Sequence, residues 1–209
     1  MFPAQVSAIL ERLEQAGFAA YAVGGCVRDT LLGRVPRDWD VATSARPEQT
    51  AALFAGRSIP TGLQHGTVTV RQEGLSVEVT TFRADGPYSD HRRPDAVYFS
   101  DSLAEDLCRR DLTVNAMAMD RRGVLTDLHG GREDLRRGLL RCVGEPDRRF
   151  DEDALRIMRT LRFASVLGFT VEERTAAALH RRAPLLGSIA AERLLSETDR
   201  LLCGRYVLP

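Results

Sequence analysis

Apolar residues recur three and four apart through residues 4–16 (AQVSAILERLEQA), the spacing of one helix face, and the pattern stops at Gly17. FAAYAVGG follows, a short apolar run closed by two glycines, which predicts a buried strand. VRDTLLG predicts a short helix ended by Gly33, and WDVAT a second strand. Pro47 opens a helix to about Phe54, because proline suits a first helical turn. Residues 66–71 (GTVTVR) and 75–82 (LSVEVTTF) alternate apolar with polar and predict a strand pair turning near Glu73-Gly74.

Beyond this pair the pattern weakens. Residues 83–101 are polar, carry two prolines and show no period, so a mobile loop is expected. Residues 103–116 predict a helix, MAMD and VLTDL short strands, and GGREDLRRG another short helix. From Asp151 only helices are expected, over about 151–167, 171–182 and 188–203. The change of character places a boundary near residues 140–150, between an α+β part and a helical part.

Composition changes this picture little. With 209 residues, 44% hydrophobic, the chain can bury one sizeable core plus a small helical appendage. The 29 basic and 29 acidic side chains balance, so net charge gives no evidence for a nucleic-acid partner. Arginine recurs in pairs, as at Arg92-Arg93, Arg109-Arg110, Arg148-Arg149 and Arg181-Arg182. Such pairs read either as solvated helix faces or as forks for phosphate. Cys26, Cys108, Cys142 and Cys203 lie far apart without a CxxC, and the four histidines are scattered, so neither a zinc site nor a redox motif is indicated. No apolar run approaches the roughly 20 residues that span a bilayer. The N-terminus lacks a signal-peptide pattern, and a cytoplasmic setting without a membrane partner is expected.

The candidate chemistry lies in carboxylates. Asp38 and Asp40 sit two apart on a predicted strand, which puts both on one face and Trp39 and Val41 on the other. Glu78, between Val77 and Val79, faces away from both valines. If the two strands are neighbours, the three carboxylates can hold divalent cations together with substrate phosphate oxygens. Alone, Asp-x-Asp reads more readily as a surface pair and Glu78 as a solvent-facing strand residue. Gly24-Gly25, just before a helix bearing Arg28, adds a place where backbone N–H groups can approach a phosphate, although a tight strand-to-helix turn uses the same glycines.

At this point the chain resembles a family. VGGCVRDTLLGRVPRDWDVATSA is similar to the signature of class II tRNA nucleotidyltransferases and bacterial poly(A) polymerases, within the polymerase-β-like superfamily. TGLQHGTVTV and VEVTTFR resemble the next part of that catalytic head. RRDLTVNAMAMD, DLHGGREDLRRGLLR, RFDEDALRIMRTLRFA and AAERLLSETDRLL resemble the four later motifs, in order. The resemblance implies an α+β fold: a polymerase-β-like head with a small mixed sheet of five strands over residues 1–145, followed by an all-α neck over 146–209. It implies Asp38 and Asp40 as Mg²⁺ ligands and Glu78 as the third catalytic carboxylate. It implies Gly25 and Arg28 at the triphosphate, Arg110 and Asp111 at the phosphate or ribose, and Asp153, Arg156, Arg159 and Arg162 as nucleotide contacts.

The chemistry of Asp153 and Arg156 can be argued separately. Spaced i,i+3, they would be neighbours on one helix. Cytosine and adenine each offer an amino donor beside a ring-nitrogen acceptor, which an Asp acceptor and an Arg donor match. Guanine and uracil mismatch that fork and would leave buried polar groups unpaired. Leu155, Met158 and Leu161 would pack inward. The alternative is a plain amphipathic helix with ion pairs.

The expected function is CCA addition to the tRNA 3′ end from CTP and ATP, with pyrophosphate released. TGLQHGTVTV resembles the CCA-adding type, and ADGPYSDHRRPDAVYFSDS resembles the flexible loop of enzymes that add the terminal A. An A-adding enzyme and a poly(A) polymerase are the alternatives. A non-catalytic nucleotide- or RNA-binding module is the alternative of a different class, and the intact carboxylate trio argues against it. Family members usually continue into body and tail domains, so a head-plus-neck fragment or an unusually short member is expected.

Overall fold

The structure, a computed structural model, describes residues 2–88 and 94–207. Its chain divides into two compact units. The first is Met1–Asp85, Val97–Arg109 and Asn115–Leu128, and the second is Gly86–Ala96, Arg110–Val114 and His129–Pro209.

The first unit begins with α1 (Ala4–Gln15), β1 (Ala20–Val23), α2 (Gly25–Leu31), β2 (Trp39–Thr43) and α3 (Pro47–Leu53). It continues through β3 (Ser58–Gly62), β4 (Thr67–Gln72), β5 (Leu75–Thr81), β6 (Arg83–Asp85), β7 (Val97–Phe99) and α4 (Leu103–Cys108) to β8 (Met117–Met119) and β9 (Leu125–Asp127). Among the described residues, seven strands form one sheet in the order β3-β4-β5-β2-β1-β8-β9. β2 and β5 run parallel and the other neighbours antiparallel, so the sheet is mixed. It has two strands more than the resemblance implies. β3 was not legible because Ser-Ile-Pro-Thr-Gly does not alternate, and Pro60 is tolerated there because β3 is an edge.

The alternation in the sheet sets its two faces. Val41, Val68, Val70, Val77 and Val79 are buried, as are Val6, Ile9, Leu10 and Leu13 of α1, which packs on β1, β2 and β4. A second cluster gathers Val23, Ala42, Phe82, Leu107 and Ala118. Buried Trp39 meets Phe2 edge to face with ring centroids 5.5 Å apart.

Two expectations in this unit need correction. Residues 83–101 are not all loop, since Arg83↔Phe99, Ala84↔Tyr98 and Asp85↔Val97 pair as antiparallel β6 and β7. Residues 89–93 of the expected mobile loop lie outside the described residues. The helix expected over 103–116 stops at Cys108. The backbone beyond is diverted: Leu112 N–H donates to the Asp111 carboxylate, Thr113 N–H to the Arg141 carbonyl, and Val143 N–H to the Asp111 carbonyl.

The second unit holds α5 (Gly131–Arg137), β10 (Leu139–Leu140), α6 (Pro146–Glu152), α7 (Leu155–Leu167), β11 (Thr170–Val171), α8 (Glu173–Arg182) and α9 (Ala191–Leu202). α6 packs on α8 and α7 on α9. The region after Asp151 is not purely helical, because β11 pairs in parallel with β10. The helix expected over 151–167 is broken at Asp153, whose backbone is extended at φ −140° and ψ 103°. On α7, Leu155 is buried as expected, but Met158 and Leu161 are only partly so, and Ile157, Thr160 and Phe163 fill the interior instead. No helix of the described residues is long and apolar enough to cross a membrane.

Candidate active site

The parallel pairing of β2 with β5 puts Asp40 and Glu78 directly opposite one another, as the register Trp39↔Val77, Asp40↔Glu78, Val41↔Val79 shows. Thr69 of β4 is opposite Glu78 on its other side. One row across the sheet therefore reads Thr69, Glu78, Asp40. Trp39, Val41, Val77 and Val79 are buried, which aims both carboxylates away from the α1 core. Asp40 is half-buried and Glu78 exposed. Asp38 is exposed and stands one residue before β2 begins, not on the strand as expected.

Like charges directly opposite on adjacent strands repel. Among the described residues, no three His, Cys, Asp or Glu side chains converge closely enough to hold a metal ion. The structure brings Asp40 and Glu78 together and leaves Asp38 beside them rather than gathering all three. The donors are hard carboxylate oxygens, and Mg²⁺ takes one or two such groups and completes its shell with water and phosphate. The residues present fit that ion. Cys26 of α2 closes the floor, its thiol donating to the Val23 carbonyl at 3.2 Å and the Asp40 carbonyl at 3.7 Å. Burial, helped by the nearby Asp40 charge, pushes that thiol up to about 11, so it is inert at neutral pH.

Gly24 makes the turn from β1 into α2 at φ 77°, ψ −133°, a conformation open in practice to glycine alone. Its N–H donates to the Met117 carbonyl of β8 at 3.2 Å. Arg28, one turn into α2, is buried. Its Nε donates to Asp29 at 2.9 Å and its Nη1 to the Asn115 carboxamide oxygen at 2.7 Å. A Cβ built on Gly25 would stand 3.6 Å from Arg28 Nη2.

In the second unit, the expected fork is not preformed. Asp153 lies in the break between α6 and α7, so it does not share a helix with Arg156. Its carboxylate accepts the Leu155 N–H at 3.1 Å and pairs with Arg193 at 3.5 Å. Arg156 is buried and donates through Nη1 to Glu152 at 2.7 Å and to the Arg149 carbonyl at 3.1 Å. Arg159 binds Asp111. Arg162 pairs with buried Glu197 at 2.6 Å and stacks on the Phe163 ring at 4.0 Å. Arg110 is half-buried at the start of the Arg110–Val114 segment.

Sequence reasoning missed Glu152, Glu197 and Asn115. Glu152 precedes Arg156 by four residues, a spacing that signals helical ion pairs. Glu197 and Asn115 are 35 and 87 residues from their arginine partners, and no local spacing announces them. Exposed members of the arginine pairs meet carboxylates, Arg136 with Glu133, Arg148 with Glu152, and Arg181 with Asp147, whereas Arg149 is buried.

Residues 20–141 match the family model described as the poly(A) polymerase head domain. Residues 168–208 match a second model, described as "Probable RNA and SrmB- binding site of polymerase A". The chain belongs to the poly(A) polymerase head-domain family, a polymerase-β-like nucleotidyltransferase family that in general uses divalent metals. Within it, the chain is 51% identical over 203 residues to the CCA-adding enzyme of Geobacillus kaustophilus, covering 97% of this chain and 50% of that one. The crystal structure of the Bacillus stearothermophilus CCA-adding enzyme in complex with CTP superposes with a TM-score of 0.91 at 47% identity, over 99% of this chain and 50% of that one. A tRNA nucleotidyltransferase complexed with a primer tRNA and an incoming ATP analog is 32% identical with a TM-score of 0.74, over 93% of this chain and 57% of that one. The chain spans about half the length of the curated relatives it matches.

Proposed function

We propose that this chain carries the head and neck of a CCA-adding tRNA nucleotidyltransferase, which transfers CMP and AMP from CTP and ATP to a tRNA 3′ end and releases pyrophosphate. The observation that carries the reading is the Asp40–Glu78 pair, two carboxylates in register on parallel neighbours. It is supported by relatives at about half identity that are CCA-adding enzymes, and by the CTP bound to one of them. Residues 1–145 would perform the transfer and residues 146–209 choose the nucleotide, in a cytoplasmic setting.

Asp38 and Asp40 would hold Mg²⁺, with Glu78 completing the acidic row. The bound ion would lower the pKa of the attacking hydroxyl and steady the triphosphate and departing pyrophosphate. Gly25 gives the triphosphate backbone access, and Arg28 supplies a planar fork for its oxygens. Arg110 and Asp111 serve the phosphate and ribose. Asp153 and Arg156 read the pairing edge of the base, exchanging their bonds to Leu155, Arg193 and Glu152 for bonds to cytosine or adenine. Arg159 and Arg162, braced by Asp111 and Glu197, support that face.

The test is a gel assay of the chain with tRNA lacking CCA, tRNA lacking only A, and unrelated RNA, given CTP and ATP separately. Addition of C and then A to the first tRNA is expected. Addition of A alone to the second would select the A-adding alternative, and AMP tails on unrelated RNA the poly(A) alternative. Failure to extend any RNA while nucleotides still bind would select the non-catalytic module.

A further inference from the structure

Asp29 and Asn115, which differ in charge, both hold the Arg28 guanidinium. Asp29, its neighbour on α2, takes Nε at 2.9 Å and Nη2 at 2.8 Å on one carboxylate oxygen. Asn115 takes Nη1 at 2.7 Å on its carboxamide oxygen. Arg28 is 8% exposed and Asn115 6%.

The topology explains how residues 87 apart meet. β8 runs antiparallel beside β1, with Val23 opposite Ala118. The Gly24 N–H donates to the Met117 carbonyl, so the turn into α2 is pinned to the start of β8. Asn115 precedes Met117 by two residues and therefore lies just past the end of β1, where α2 begins.

The chemistry of the pair is selective. A flexible arginine loses about 2 kcal/mol of rotamer freedom when fixed, and a ligand that must fix it bears that loss at binding. An acceptor already on Nη1 removes it beforehand. A carboxamide oxygen provides that acceptor without adding negative charge. Asp29 already places one carboxylate on the guanidinium, and a second at position 115 would leave the group net negative towards an anion.

We infer that Asn115 is a positioning residue for triphosphate binding, acting through Arg28: its neutral carboxamide pre-orients the guanidinium beside Gly25 while leaving its charge in force. The inference rests on the placing of Arg28 at the triphosphate in the proposed function.

The test measures binding of Mg·CTP, Mg·ATP and Mg·tripolyphosphate to the 209-residue chain by calorimetry without RNA, so no turnover is needed. Asn115→Leu is expected to weaken all three ligands by a common factor of about ten, the worth of one hydrogen bond to a charged group. Asn115→Asp keeps the acceptor and the size, and serves if Asn115→Leu fails to fold. It is expected to unfold at the wild-type temperature yet bind all three less well, the deficit shrinking as salt is raised. In an Arg28→Ala background, neither change at position 115 should weaken binding further. Wild-type affinity in Asn115→Asp, or an equal loss with and without Arg28, would show a role in packing alone and overturn the inference. Wild-type protein that binds none of the three ligands would overturn the proposed function itself.

Discussion

Arg159 grips Asp111 through Nε at 2.9 Å and Nη2 at 2.6 Å, both on the same carboxylate oxygen. Burial alone would raise the Asp111 pKa, but the Arg159 charge and hydrogen bond and the Leu112 N–H outweigh it and hold the carboxyl well below the usual range. The pair ties the Arg110–Val114 segment to α7. The carboxylate is buried and the guanidinium half-buried, so losing the carboxylate removes the salt bridge that holds Arg159.

Asp111→Asn is therefore expected to destabilise the chain by about 2 to 3 kcal/mol at neutral pH. A folded pKa below the unfolded one stabilises above the unfolded value, near 4, and the gain is lost as pH falls through the folded value. The gap between wild type and Asp111→Asn in urea denaturation should be full at pH 7 and narrow progressively below about pH 4. A gap that widens on acidification would contradict the assignment.

Asp40→Ala removes one member of the Asp40–Glu78 pair. It is expected to abolish nucleotide addition to tRNA lacking CCA. It should leave the fold intact or slightly more stable, because two like charges in register repel. Thermal unfolding and the gel assay are read together. A folded, active Asp40→Ala protein would remove the metal-site assignment.

Asp153 does two things that can be separated. Its carboxylate accepts the Leu155 N–H and pairs with Arg193. Asp153→Ala loses that hydrogen bond as well as the acceptor offered to the base, and should destabilise by about 1 kcal/mol. Asp153→Asn keeps an oxygen for Leu155 and can present a donor to the base edge. Both changes are expected to relax the choice among CTP, ATP, GTP and UTP more than they weaken binding of tripolyphosphate. Unchanged preference for C and A in both would end the base-reading role.

How much of this was legible in the sequence follows from what kind of interaction sets each feature. The Asp40–Glu78 row rests on period-2 alternation around buried valines, which is local and readable. That the two strands are neighbours is a pairing fact, which periodicity could state only as a condition. The break before α7 was invisible because Glu152-Asp153-Ala154-Leu155-Arg156 suits a continuous helix, and the extended Asp153 found there pairs with Arg193, 40 residues away. β6 and β7 were missed because strands of three residues are too short for alternation to register. Glu197 and Asn115 reach their arginines only through the tertiary fold.

Gly66 supplies a test of local packing free of the chemistry. It follows the Leu63–His65 turn at φ 82°, and a Cβ there would lie 2.7 Å from the Phe99 ring of β7. That ring also carries the Arg46 guanidinium 5.6 Å from its centre. Gly66→Ala must bear the left-handed backbone, about 1 to 2 kcal/mol, and displace the ring besides. Gly74, at φ 83°, has nothing within 4 Å of its would-be Cβ, so Gly74→Ala bears the backbone term alone. In urea denaturation Gly66→Ala should lose about 1 to 3 kcal/mol more than Gly74→Ala. Hydrogen exchange should rise at Ala84, which lies opposite Tyr98 at a hydrogen-bonded position of the β6–β7 ladder, in Gly66→Ala only. Equal losses in the two variants would show that Phe99 yields freely and that β7 is not packed against the turn.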